Sequence, residues 1–348
     1  MTIDIASHKV GSGHPCFIIA EAGVNHNGSL DMARKLVDVA VEAGADTVKF
    51  QTFKADSLVS PVASKAEYQI RTTGTTESHH EMIRRLELTP EMHEDLIEYC
   101  HERGILFMSS PFDESSADLL DGLGVPVFKI PSGEITNLPF LKHVASKGKP
   151  MIVSTGMADL AEVETAMNTI REAGNEQVVL LQCVSNYPAD PANVNLRAMA
   201  TMEEKFSVPV GYSDHTAGTE IAIAAVALGA TVIEKHFTLD RTLPGPDHEA
   251  SLEPDELDAM VRGIRNAQAA LGTGEKIPSP SEKNTADVAR KSLVAAFDIS
   301  AGTVLTEENI AIMRPGTGLP PVMKSQIIGK TIRTALPAGS LLTMEMVD

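Results

Sequence analysis

The chain has 348 residues, 43% of them apolar, and a formal net charge of −18. That length allows one large domain and a small one, and the charge excludes a nucleic-acid or anionic-membrane surface, since both require a basic field. Three cysteines, Cys16, Cys100 and Cys183, stand at no disulfide or metal spacing, as reduced buried thiols of a cytoplasmic protein would. The N-terminus has no basic segment leading into an apolar one, and the longest near-apolar run, residues 221–233, is too short to span a bilayer. A soluble protein is expected.

Eight short β-rich runs follow one another along the chain: CFIIAEAG from Cys16, TVKFQT from Thr47, LFMSSPF from Leu106, VFKIPSG from Val127, MIVSTG from Met151, VVLLQCVS from Val178, VPVGYSD from Val208 and TVIEKHF from Thr231. Between them lie segments with helical spacing, such as those from Leu30 and from Pro90, each ending at a glycine suited to a left-handed cap. A last helix is expected from Pro254 to Leu271. Near-continuous apolar strands alternating with helices imply a parallel sheet covered by helices, and eight such units in this length fit a closed (β/α)8 TIM barrel. No GxGxxG follows the first strand, which argues against a dinucleotide site.

Two segments break the repeat. Residues 55–88 form a long polar loop after the second strand, on the catalytic side of such a barrel, where loops of this length are usually functional. After residue 271 a polar, proline-containing linker (272–289) leads into short strand-like runs, SLVAAF, TVLTEENI and GKTIRTAL, of a small domain over 290–348. The barrel is therefore assigned to residues 1–271. A module of that size folds poorly alone, so docking on a barrel is expected.

In a TIM barrel the active site lies at the C-terminal ends of the strands, where residues two apart face the same way. GYSDHT thus aims Ser213 and His215 together, and VIEKHF aims Glu234 and His236 from the neighbouring strand. One such histidine is commonly a hydrogen-bonded rim residue. Two on adjacent strands can share a divalent metal, and with no third histidine or cysteine evident, manganese or magnesium suits them better than a closed zinc site. Lys49 and Gln51 of KFQ share a face; Lys129, Ser132 and Glu134 come from FKIPSGE, and Ser110 and Ser185 from the third and sixth strand ends. Lysines inside apolar strands are costly unless paired, and with hydroxyls beside them they give an acidic protein a place for a phosphate or carboxylate. EAGVNHNG adds Glu21, Asn25 and His26, with Asn25, His26 and Asn27 equally suited to turn-making, and the PGPDHEAS loop offers Asp247.

EAGVNHNGS, KFQTFKAD, KIPSGEITNLP, STGM, GYSDHT, EKHFTLD and PGPDHEASLEPDEL, in this order along nearly the whole chain, resemble the sialic acid (N-acetylneuraminate) synthase family. The resemblance implies a TIM barrel with a C-terminal antifreeze-like SAF domain of β-clip type, in a domain-swapped homodimer. It implies condensation of phosphoenolpyruvate with N-acetylmannosamine, giving N-acetylneuraminate and phosphate with a divalent metal, manganese foremost, magnesium or cobalt otherwise. Position by position, it puts the metal on His215 and His236 and phosphoenolpyruvate on Lys49, Ser110, Lys129, Ser132, Ser185 and Ser213. Sugar contacts and acid–base work go to Glu21, Gln51, Glu134, Tyr187 and Asp247, with Glu134 the first candidate for the water proton and Glu21 the second. Arg314, in RPGTG, matches an arginine that reaches the N-acetyl group across the dimer. Ser110 stands where threonine is common in the family, and Ser185 where some members carry asparagine.

Three rivals compete with this reading. A Schiff-base aldolase could use Lys49, Lys129 or Lys235. The same condensation could serve a different sugar, as in legionaminic or pseudaminic acid synthases, of which the PGPDH loop disfavours the pseudaminic type. The tail could instead be an ice- or glycan-binding module with the barrel as scaffold.

Overall fold

A computed structural model describes all residues, 1–348, and divides them into two compact units, Met1–Gly272 and Thr273–Asp348. The first unit opens with an antiparallel hairpin, β1 (Thr2–Ile5) and β2 (His8–Gly11). The eight expected strands follow as β3 (Phe17–Gly23), β4 (Thr47–Thr52), β5 (Leu106–Pro111), β6 (Phe128–Ile130), β7 (Met151–Ser154), β8 (Val178–Cys183), β9 (Val210–Asp214) and β10 (Val232–His236). They form one parallel sheet in the order β5-β4-β3-β10-β9-β8-β7-β6. Its end strands β5 and β6 pack on each other, so the sheet curls into a near-closed barrel of TIM type.

Strand alternation divides the side chains into two cores. Outward residues such as Ile18, Val48, Phe107, Phe128, Val153, Leu180 and Tyr212 pack with the helices in one large cluster. Inward residues near the strand starts, Phe17, Ile19, Met108, Val127, Ile152, Val179, Leu181 and Val232, fill the barrel floor together with Ile3, Ile5 and Val10 of the hairpin. The hairpin, which strand-helix alternation gave no reason to expect, thus adds to the buried floor, at about 1.5–3 kcal/mol for each large side chain. Gly211 has no side chain because a Cβ there would meet the Val232 carbonyl at 2.4 Å and Leu181 at 2.7 Å.

The helices begin and end where the sequence implies. Leu30–Glu42 is capped by Ser29, whose hydroxyl accepts from the Met32 N–H, and Pro90–Arg103 by Thr89. Gly104 closes the latter at φ +73°, and Pro254–Leu271 forms as expected, packed against the helices Glu220–Ala227 and Leu30–Glu42. The long polar loop over 55–88 is corrected: it holds three short helices, Ala55–Leu58, Glu67–Thr73 and His79–Arg84. Ser78 starts the last with a reciprocal Ser–Glu81 cap, a local signal that the polar composition masked.

In the second unit, β11 (Ser292–Ala295) and β12 (Ile310–Met313) pair antiparallel. Around them Leu293, Ile299, Leu305, Ile310, Ile327, Ile332, Leu336 and Leu342 form a core. Of the three strand-like runs expected here, SLVAAF contains a ladder strand and TVLTEENI only the first residue of the other, Ile310, while the rest of TVLTEENI and GKTIRTAL contribute isolated bridges, Val304 with Thr331 and Ile332 with Val347. The linker is not uniformly extended either, since residues 280–289 are helical, Pro280–Glu282 as a 3-10 turn and Lys283–Ala289 as an α-helix.

Candidate active site at the strand ends

Above the apolar floor the inward positions turn polar. Glu21 follows Ile19 on β3, Ser110 follows Met108, Lys129 follows Val127, Ser154 follows Ile152, Cys183 follows Leu181, and Glu234 follows Val232. Together with Lys49, Gln51, Ser132, Ser185, Tyr187, Ser213, His215, His236 and Asp247 they line one cavity of about 270 Å³. All the barrel residues marked out by the sequence are therefore assembled there, except Asn25, His26, Lys235 and Glu134. The Glu134 side chain belongs to the turn Ser132–Glu134, past the end of β6, where strand alternation no longer decides orientation. It accepts a hydrogen bond from Asn137 Nδ2 at 2.7 Å and stands one residue beyond the lining Ser132 and Gly133. Arg314 lies exposed in the second unit, where its Nε donates to the Ala289 carbonyl at 3.1 Å.

The sequence reading gave no role to Glu234, and the structure puts it at the centre. Its carboxylate stands 3.3 Å from Lys129 Nζ and 3.5 Å from Lys49 Nζ and accepts from Ser213 Oγ at 2.9 Å. Lys49 also pairs with Glu21 at 2.7 Å and donates to Ser110 Oγ at 2.8 Å, while Lys129 donates to Ser154 Oγ at 2.8 Å. All four charged groups are at most 5% exposed. Burial pushes the Glu21 carboxyl up to about 7 against the pull of Lys49. Burial also acts on Glu234, but Lys129 and Lys49 outweigh it and hold that group at about 2. Burial draws Lys129 below its ordinary value, whereas at Lys49 the two carboxylates overcome burial and hold the amine above it. Two lysines facing one firmly ionised carboxylate and one near neutrality leave positive potential for an anionic ligand.

Beside this box, the close approach of a glycine backbone leaves room for two hydroxyls. The Gly156 N–H donates to Ser132 Oγ at 3.0 Å, and a Cβ on Gly156 would fall 2.3 Å from Ser185 Oγ and 2.7 Å from Ser132 Oγ. Ser132, Ser185 and Gly156 thus form a cradle that any larger residue would fill.

The two histidines meet across β9 and β10, with ring centroids 5.5 Å apart. His215 Nδ1 stands 2.7 Å from the Val184 carbonyl and therefore donates to it, leaving the lone pair on Nε2, where the Tyr187 hydroxyl lies at 3.0 Å. His236 Nδ1 is buried without a partner, and burial draws its ring well below its ordinary value. An orphaned, neutral imidazole beside another fits a divalent cation that completes its shell from water and substrate oxygens. No group of three or more His, Cys, Asp or Glu side chains is arranged to hold a metal. Cys183, read from sequence only as a buried thiol, lines the cavity with Sγ 3.8 Å from His215 Nδ1. Asp247 faces it from the loop after β10, its carboxyl pushed up to about 6 by burial against the pull of His215.

Other marked residues have structural tasks. Asn25 donates to the Phe237 carbonyl and to Ser251, His26 Nδ1 accepts from the Gly28 N–H, and Asn27 donates to the Pro244 carbonyl. Lys235, a candidate Schiff-base lysine, points away from the cavity and is paired with Asp214 at 2.7 Å.

Residues 36–276 match the model of the NeuB family and residues 290–348 that of the SAF domain. The chain is 50% identical to the N,N'-diacetyllegionaminic acid synthase of Legionella pneumophila, over 97% of this chain and 96% of that one. It is 39% identical to the N-acetylneuraminate-9-phosphate synthase of Homo sapiens, over 97% and 94%. Among solved structures, the N-acetylneuraminic acid synthetase of Leptospira borgpetersenii, 36% identical, matches with a TM-score of 0.72 over 82% of this chain and 95% of that one. With its strand-end cavity, its barrel and its C-terminal module, the chain belongs to the NeuB family, joined to a SAF domain, and is an enzyme of the nonulosonic acid synthase type.

Proposed function

We propose that this enzyme condenses phosphoenolpyruvate with a diacetylated 6-deoxymannosamine, giving N,N'-diacetyllegionaminate and phosphate. The observation that carries the choice of sugar is the 50% identity, over nearly the full length of both chains, with a protein named for that product, against 39% with one that makes a sialic acid phosphate. N-acetylmannosamine, the sugar expected from the sequence, is accordingly the second reading.

Phosphoenolpyruvate is assigned to Lys49, Ser110, Lys129, Ser132, Ser185 and Ser213. What supports this is that all six line one cavity and that its two lysines are buried, so an anion meets them without a competing water shell. The sugar is assigned to the side bounded by Gln51, Tyr187 and Asp247, with its aldehyde toward His215 and His236. A divalent cation, manganese foremost, would be held by those two imidazoles and would supply Lewis acidity to the aldehyde oxygen.

The alkene carbon of phosphoenolpyruvate attacks the aldehyde carbon, forming the new C–C bond and leaving positive charge on the enol carbon. Water adds there, and the tetrahedral product collapses by breaking the bond between that carbon and the bridging oxygen. One proton of the water ends on the new hydroxyl and the other on the departing phosphate. Glu21 is assigned the transfer of the water proton because its carboxyl faces the cavity; Glu134, set back from the lining, becomes the second candidate. Lys49 and Lys129 hold the dianion and stabilise the charge gathering on phosphate. Arg314 is assigned, on the resemblance alone, to the sugar's N-acetyl group in the barrel of a partner subunit.

The test is phosphate release from phosphoenolpyruvate with each sugar. The diacetylated 6-deoxy sugar is expected to give a kcat/KM at least about tenfold above that of N-acetylmannosamine, about the least that one pocket difference contributes. Preference for N-acetylmannosamine would return the assignment to a sialic acid synthase.

A further inference from the structure

The cavity has two unlike halves. One is the charged and hydroxylic half already described. The other is a wall of hydrocarbon made by Val24, Phe53, Leu58, Ile83, Leu86 and Phe112, a cluster separate from both barrel cores and lining the cavity with all six side chains. Leu58, Ile83 and Leu86 come from the 55–88 excursion, which also brings Tyr68, stacked on Tyr187, and Gln69 to the cavity, so this segment, polar in composition, sets a hydrocarbon face beside those two polar side chains. Phe53 and Phe112 stand edge to face with centroids 6.0 Å apart and brace the wall.

The wall's height relative to the chemistry follows from the chain. Phe53 lies two residues beyond Gln51 on the run from β4, and Phe112 two beyond Ser110 on the run from β5. Two residues of extended chain advance about 7 Å, so the wall rises one step outward from the lysines and histidines. A sugar whose aldehyde faces the histidines reaches that height with the far end of its six-carbon chain. None of the six wall side chains can donate or accept a hydrogen bond, so a hydroxyl placed against them would lose its water and gain nothing.

We propose that this wall selects the terminal methyl group of a 6-deoxy sugar over a hydroxymethyl group, making the 55–88 excursion the specificity element of the enzyme. The inference rests on the diacetylated 6-deoxymannosamine reading above, and the two can fail separately.

The experiment compares two sugars that share both N-acetyl groups and differ only in carrying methyl or hydroxymethyl at the end of the chain. The full-length enzyme is expected to prefer the methyl sugar in kcat/KM by about 10- to 100-fold. Leu58→Asn and Ile83→Asn, at half-buried positions where one variant remains informative if the other misfolds, are each expected to narrow that ratio about tenfold. The narrowing should come mainly from a higher KM for the methyl sugar, with the KM for phosphoenolpyruvate within about twofold of the parent, a split that a merely structural role would not give. Leu58→Met should keep the ratio. Turnover of both sugars without preference, or an unmoved ratio in the folded asparagine variants, would overturn the wall's role while leaving the reaction intact. Turnover of neither diacetylated sugar would overturn the reading of the reaction itself, and with it the wall's assigned ligand.

Discussion

Replacing Lys129 by methionine keeps the stem of the side chain and removes the charge, which separates two roles that one residue holds. The first is structural. Lys129 Nζ lies 3.3 Å from the Glu234 carboxylate, both groups buried. At that distance and an effective dielectric of about 20 the pair attracts by about 5 kcal/mol before desolvation is subtracted. Leaving a buried partner uncompensated typically costs about 3–5 kcal/mol. Glu234 keeps Lys49 at 3.5 Å and Ser213 at 2.9 Å, so the loss should fall at the low end, about 3 kcal/mol, read as a lower urea midpoint at unchanged slope. The second role is the proposed contact to phosphoenolpyruvate. A charge-assisted hydrogen bond contributes about 1.5–3 kcal/mol, so the KM for phosphoenolpyruvate should rise about 10- to 150-fold while the sugar's KM changes little. The double variant Lys129→Met/Glu234→Gln removes both charges, and Lys49 retains Glu21 at 2.7 Å. It should recover stability to within about 1 kcal/mol of the parent and leave the KM for phosphoenolpyruvate high. A double variant no more stable than the single would refute the coupling of Lys129 with Glu234, and an unchanged KM would remove Lys129 from the anion site.

Stability should fall with acid through a histidine outside the catalytic cluster. His26 is fully buried and its pKa is drawn from 6.5 to about 4, by burial first and then by His93 and His248. Such a group binds fewer protons folded than unfolded, so its contribution is intact above 6.5 and is lost as pH falls through 6.5 toward 4, amounting to about 2 kcal/mol between pH 7.5 and 5. His26→Asn should flatten the dependence by that amount in urea titrations at the two pH values; an unaltered dependence would mean that His26 is not held neutral. His236→Ala should abolish turnover that chelation removes and manganese restores, and should also weaken manganese binding measured by calorimetry; retention of both would take the metal away from this residue. Arg314→Ala and His236→Ala, each inactive or impaired alone, should recover some activity when mixed under subunit exchange, because one barrel in the mixed dimer has both its histidine and the partner's arginine. Mixed dimers without recovery would place Arg314 outside any shared site.

The barrel was legible because each of its strands is an apolar run that ends in polar residues, and alternation alone puts those residues inside: Val127 then Lys129, Val232 then Glu234. The same rule brought Ser213, His215 and His236 to one place. It gave no reason for Glu234 to matter more than its neighbours, since its partners Lys49 and Lys129 lie on strands far away in sequence and meet it only after the sheet curls. Glu134 shows where the rule stops: past β6 the chain enters a 3-10 turn, and the carboxylate goes to Asn137. Composition misread the 55–88 segment, because its few apolar residues, Leu58, Ile83 and Leu86, are scattered among polar ones along the chain and come together only when the segment folds, beside Tyr68 and Gln69, which also reach the cavity. The hairpin before β3 was missed because a four-residue strand carries too little periodicity to stand out.

The central claim is that this cavity joins phosphoenolpyruvate to a diacetylated 6-deoxymannosamine with cleavage of the carbon–oxygen bond. One mass-spectrometric experiment tests it: phosphoenolpyruvate labelled with heavy oxygen at the bridging position, the diacetylated sugar and manganese are incubated with the enzyme, and both products are weighed. The account predicts a nonulosonic acid bearing two N-acetyl groups and phosphate that retains the label, because water attacks carbon. Phosphate without the label would mean attack at phosphorus, and labelled phosphate with no nonulosonic acid would mean that the bond breaks without the condensation; either result contradicts the account.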